Sequence, residues 1–207
     1  MVQFTLNVEI DDAQLSTLPQ DIKLCVTREV NGISNVVWIG RPLNQLSKKN
    51  TLKWTEEYQV FASSKFKAGE LVKAESHSRG IQYGQKATYT AEGVMSAPVA
   101  DTTIVGNKFC IHNERPDVCF GVHGRIDGAW FPVFVFPTAV KVQTNVSFTP
   151  INKVTVFWSK ECGTGVMFFD ASKPKIVVDF GTQSTQTVSF TGPPSGGQFV
   201  PGPLPGA

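Results

Sequence analysis

Three groups of residues have types and spacings that could do chemistry. His112 and Glu114 stand two apart, so they share a face if the chain is extended, and His123 follows in the next apolar run. Imidazole and carboxylate suit zinc and similar ions, so His112, Glu114 and His123 form a candidate metal site. Their spacing matches no established ligand signature, and a polar hairpin tip around HNER has the same composition. A metal-dependent enzyme using these three residues is the third-ranked reading of the chain. Serine and cysteine nucleophiles lack a recognisable partner arrangement, so the first expectation is a non-enzymatic protein with no cofactor.

The second group is aromatic and polar. Trp54 lies in KWTEEY, Trp38 precedes Gly40-Arg41, Trp130 follows Asp127, and Trp158 lies in FWSKE. A flat apolar ring beside charged or amide side chains is what a sugar needs, one for its apolar face and the other for its hydroxyls. Trp54, Arg41, Trp130, Asp127 and Trp158 are therefore the candidate ligand-binding residues. The expected function is lectin-like recognition of a glycan or a glycosylated surface. Core tryptophans would look the same in sequence, and at least two of the four fit that description.

The third group is the apolar run Ala129 to Phe136, AWFPVFVF. Alternation puts Phe131, Val133 and Val135 on one face and Trp130, Pro132, Phe134 and Phe136 on the other, so both faces need cover. Pro132 lacks a ladder donor and points to a sheet edge. The alternative function follows from this strand: a structural or assembly protein whose AWFPVFVF strand and C-terminal tail make subunit contacts in a homo-oligomer.

The elements that must position these residues are strands. A shift of 96 lays Asp21–Gly32, DIKLCVTREVNG, over Asp117–Gly128, DVCFGVHGRIDG. Ile22, Leu24, Val26 and Val30 then meet Val118, Phe120, Val122 and Ile126 at the two-residue period of a half-buried strand. Asn31-Gly32 and Asp127-Gly128 both favour a tight hairpin turn. The same shift aligns Tyr58, Val60, Phe61 and Gly69 with Val154, Val156, Phe157 and Gly165; one extra residue then aligns Ile81 with Val178, and a further four align Thr88–Thr90 with Ser189–Thr191.

The expectation is an all-β chain of two tandem β-sandwich domains of immunoglobulin-like size, related by internal duplication. They occupy 1–95 and 96–191, followed by a Pro/Gly-rich tail at 192–207. In the first unit strand character lies near 2–10, 22–30, 34–40, 51–62, 69–76 and 85–91, and DDAQLSTL at 11–18 reads as a short helix or a turn. The tail, GPPSGGQFVPGPLPGA, is expected to be disordered for want of surface to bury, with Phe199, Val200 and Leu204 as anchors if it docks.

Composition narrows the function classes. Among 207 residues 17% are charged and 41% hydrophobic, which supports packed cores. A net charge of +2 gives no strong pull on nucleic acid. No apolar run reaches the roughly 20 residues of a membrane span. MVQFTLNVEI has neither a basic nor an apolar leader region, so the expected location is cytoplasmic, or secreted without a visible signal peptide. Cys110 and Cys119 flank IHNERPDV and either close a hairpin or remain buried thiols.

Overall fold

The computed structural model describes residues 2–63, 65–171, 173–193 and 196–205. Among them the chain is all-β, with one short α-helix and one 3-10 turn at Leu43–Gln45. The opening strand β1 (Gln3–Ile10) buries Phe4, Leu6, Val8 and Ile10, as its alternation requires. Helix α1 (Asp12–Thr17) follows, started by the Asp11 carboxylate, which accepts the Ala13 N–H at 2.9 Å. Then come β2 (Lys23–Val30), β3 (Val37–Pro42) and the long β4 (Lys49–Ser63). Residues 69–76, expected as a strand, instead form turns joined to the rest by the isolated bridges Ser63–Ala74 and Leu71–Val166. Gly69 explains the break, since its φ of 86° leaves the strand region. Three short strands close the first half of the sequence: β5 (Arg79–Ile81), β6 (Gln85–Tyr89) and β7 (Val99–Ala100).

The second half brings β8 (Phe109–Asn113), β9 (Cys119–Ile126) and β10 (Ala129–Val135). After them run β11 (Thr144–Phe148), β12 (Pro150–Ser159), β13 (Lys175–Asp179), β14 (Thr185–Thr191) and β15 (Gln198–Pro201). The strand β15 corrects the expectation of a disordered tail. It pairs antiparallel with β14, Phe199 and Leu204 are buried, and Phe199 stacks on Trp158 at 6.0 Å. Two of the three apolar anchors thus find cover that the tail could not supply for itself.

Three sheets result among the described residues. One runs β10-β9-β4-β1-β14-β15 with β5 also on β4, a second runs β11-β8-β6-β7, and a third runs β13-β12-β2-β3. None closes within 1–95 or within 96–191. The pairs β1–β14, β4–β9, β6–β8 and β2–β12 each join one half to the other. One apolar core likewise holds Leu6, Trp38 and Trp54 together with Phe120, Phe134 and Phe180. Two sandwiches in tandem are therefore not the arrangement of the sheets. Periodicity identifies a strand and its buried face, but it carries no information about which strand lies alongside.

The cross-half registers agree closely. Tyr58 faces Gly124, Val60 faces Val122 and Ala62 faces Phe120; 96 residues further along one strand and 96 earlier on the other, Val154 faces Arg28, Val156 faces Val26 and Trp158 faces Leu24. Both hairpins carry an irregularity at matching places, after Val26 in one and after Val122 in the other. Both turns have two positive φ angles, 54° and 76° at Asn31-Gly32 and 48° and 83° at Asp127-Gly128.

The apolar strand β10 lies at an edge of its sheet, as Pro132 requires, and its cover comes from within the chain. Val133, Phe134 and Val135 are fully buried, and Phe134 meets Phe136 and Phe148 edge to face. The Asn35 amide seals the edge by donating to the Val135 carbonyl at 2.6 Å and accepting its N–H at 3.3 Å.

Candidate functional site

The hairpin β9–β10 and the middle of β4 build one polar cluster. Toward the end of β9 the alternation turns His123 and Arg125 partly outward while Val122 and Ile126 stay buried. The tight turn then holds Asp127 against β4: its N–H donates to the Lys53 carbonyl at 2.7 Å, and its Oδ1 accepts the Lys53 N–H at 2.9 Å. Its second oxygen receives Arg41 Nη2 at 2.7 Å, so a residue of β3 is drawn to the same place. Arg125 donates to both oxygens of Glu57, at 3.1 and 3.3 Å, and its guanidinium lies 6.0 Å from the ring centre of Trp130. Thr55 donates to Glu57 at 2.6 Å. This hydroxyl first, and Arg125 after it, hold the Glu57 carboxyl below its ordinary pKa.

Between these groups runs a groove of about 520 Å³, lined by Gln3, Lys53, Thr55, Glu57, Arg125 and Asp127 among others. Beside it Trp130 is 36% exposed, a large fraction for an indole, and is paired across the hairpin with Arg125. The groove offers two carboxylates, Glu57 and Asp127, and two cationic side chains, Lys53 and Arg125; Arg41 is bound to Asp127 and the Trp130 ring lies beside Arg125. Its chemistry is hydrogen bonding and stacking.

Of the five residues expected to bind a ligand, the fold pairs Arg41 with Asp127 and sets Trp130 beside Arg125 on the same hairpin. Trp54 reaches the groove wall, but at 2% exposure its ring belongs to the core, stacked on Phe4 and edge-on to Trp38 and Phe180. Trp158 lies elsewhere, covered by Phe199 of the tail and by Phe190. At 4% exposure its ring has no open face for a sugar.

The metal set His112, Glu114 and His123 is not assembled. His112 lies on β8 with its Nδ1 2.9 Å from Asn145 Oδ1, whereas His123 lies on β9 in a different sheet, stacked on Phe61 at 4.2 Å. Burial holds the His123 imidazole neutral down to about pH 4. Among the described residues no three His, Cys, Asp or Glu side chains gather to hold a metal ion. Cys110 and Cys119 are free thiols, again on separate sheets, and no described helix is long and apolar enough to cross a membrane.

The sequence reading missed Arg28. It is fully buried, donates to Tyr58 Oη at 2.6 Å and to Asn152 Oδ1 at 2.7 Å, and lies over Tyr58 and Trp38. Asn152 in turn donates to Glu56, which also accepts from Tyr83, so the charge is answered through a ring of hydrogen bonds. The signal was present: Arg28 falls in step with Leu24, Val26 and Val30, the buried side of β2.

No protein-family model, no curated protein and no solved structure matches this chain.

Proposed function

We propose that the chain is a non-enzymatic binding protein that recognises a glycan or a glycosylated surface at the groove between β4 and the β9–β10 hairpin. The observation that carries this reading is the exposed Trp130 ring beside the Arg125–Glu57 and Arg41–Asp127 pairs. Carboxylates already held by arginines keep lone pairs for sugar hydroxyls, and their fixed positions lower the ordering cost of binding. The reading includes an internal duplication in which the two copies have traded strands. The 96-residue agreement between the β4–β9 and β12–β2 registers supports it. The competing assembly reading loses support from the burial of Phe134 and Phe199 within the chain.

Binding of the purified protein to a glycan array tests the proposal. The expected result is a defined set of bound glycans, with affinity falling about tenfold or more for Trp130→Ala at unchanged circular dichroism. A blank array, or binding indifferent to Trp130→Ala, overturns it.

A further inference from the structure

Each half of the chain finds strand partners in the other half, yet one covalent connection joins them, the stretch between β6 and β8. Its beginning is fastened to the first half. Ser96 donates to the Thr88 carbonyl at 2.8 Å, β7 pairs with β6, and Lys86 holds Asp101 at 2.6 Å. The next residues bond locally: Ile104 N–H to the Asp101 carbonyl at 3.0 Å, Thr103 to the Asp101 carboxylate, Lys108 N–H to the Gly106 carbonyl at 2.9 Å. Thr102, Thr103, Val105, Gly106 and Asn107 are exposed. β7 and β8 flank opposite sides of β6, so this stretch must cross roughly 10 Å of sheet to bring β8 into place.

We propose that residues 102–107 are a hinge, and that two copies of the chain exchange halves across it to give a dimer whose grooves are each completed by both chains. The groove is divided between the halves. Lys53, Thr55 and Glu57 come from the first and Arg125 and Asp127 from the second, with Arg41 of the first held by Asp127 and Trp130 of the second beside Arg125. In the exchanged dimer the same residues meet in the same registers, so monomer and dimer differ in the connection and in the freedom lost on association. Opening the connection gives up only a few exposed bonds. The gain is function: two grooves in one particle hold a multivalent glycan surface far longer than one. That last step rests on the glycan reading; the exchange itself does not.

The experiment has two arms, both with the full chain except where a deletion is stated. In the first, light scattering gives the mass after unfolding and refolding at high concentration, for the wild type and for a chain lacking Thr102–Asn107. The expected result is a partial dimer that persists on dilution for the wild type, and a complete dimer for the deletion, whose two remaining residues cannot turn over β6. If the deletion chain fails to fold, the wild type decides. A refolded wild type that is monomeric throughout overturns the proposal, as does a folded deletion chain that stays monomeric.

In the second arm Glu57→Ala and Trp130→Ala chains, each binding-deficient alone, are refolded together and offered the glycan that the wild type binds best. Exchange restores roughly a quarter of the grooves in the dimer fraction, because half the dimers are mixed and each mixed dimer has one intact groove of two. The same chains mixed without unfolding restore none. Dimers that form without recovery of binding overturn the composite groove. A wild type that dimerises and binds no glycan leaves the exchange standing and removes the glycan reading.

Discussion

The turns at Asn31-Gly32 and Asp127-Gly128 share a backbone and a latch and differ in the side chains around them. Asn31 donates its N–H to the Thr149 carbonyl at 3.0 Å and accepts the Thr149 N–H on its side chain at 2.8 Å; Asp127 does the same to Lys53 at 2.7 and 2.9 Å. Thr149 and Lys53 are themselves 96 residues apart. Around the first turn, however, Glu29 stands where the second has Arg125, Lys153 where it has Glu57, and Ser34 where it has Trp130. One place adds to the latch only a bond from the Asn31 amide to the Ser147 carbonyl, at 2.8 Å. The other adds a ring, an arginine for Asp127 and a groove. What is common ties strands together, and the additions are the groups on which the proposed binding rests.

Matched positions give ways to break that comparison. The largest effect is expected at Arg28, which faces Val154 as its counterpart Gly124 faces Tyr58. Arg28→Ala leaves the oxygens of Tyr58 and Asn152 without their donor in the core, and chemical denaturation should show a loss of about 3–5 kcal/mol. A loss under 1 kcal/mol would mean that the hydrogen-bonded ring is not a support of the fold.

His123 comes next, with Thr27 as its counterpart. Burial lowers the His123 pKa from 6.5 to about 4. The unfolded chain takes up a proton below pH 6.5 while the folded chain refuses it until about 4, so stability falls as pH drops through that window and levels off beneath it. The size is at most about 3 kcal/mol, reduced by the partial exposure of the ring. His123→Thr, which copies the other half, should flatten this segment of the stability profile. An unchanged slope would place the titration elsewhere.

Gly121 is the third. A Cβ there would lie 2.2 to 2.9 Å from ring atoms of Phe61, whereas its counterpart Cys25 sits buried opposite Phe157. Gly121→Ala should cost about 2 kcal/mol in thermal or chemical unfolding, because Phe61 is held by His123 above it and cannot turn aside cheaply. Cys25→Ala, the same substitution product at the matched site, should cost less, since it only removes a sulfur.

These positions also mark what was legible in the sequence. The strand faces and both turns could be read from apolar spacing and from the dipeptides Asn31-Gly32 and Asp127-Gly128. The partnership of β4 with β9 and of β2 with β12 could not, because alternation is satisfied by any neighbour that covers the apolar face. The groove was half visible. Arg41, Asp127 and Trp130 were flagged by residue type, while Glu57 and Arg125 became site residues only once two strands from different halves lay side by side. Trp54 and Trp158 misled because an indole beside charged sequence neighbours looks exposed, and only tertiary contacts put Phe180 over one and Phe199 over the other. The tail misled for a related reason: its composition cannot order itself, but β14 offers an edge and Trp158 a ring to dock on.

The smallest effect separates the latch from the site most cleanly. Asn31→Ala and Asp127→Ala each remove a side-chain acceptor from a backbone N–H of the facing strand and put alanine where φ is positive, at 54° and 48°. Each should therefore cost about 1 kcal/mol of stability by thermal unfolding. The second also frees Arg41, but that pair is partly exposed and adds little to stability. On glycan binding the two should part: Asn31→Ala leaves it unchanged, and Asp127→Ala removes a groove carboxylate and lets the Arg41 guanidinium move. If both weaken binding equally, the groove responds to the rigidity of the whole sheet and the division between latch and site fails. If neither does, Trp130 and the Arg125–Glu57 pair carry recognition by themselves, and Asp127 is as structural as Asn31.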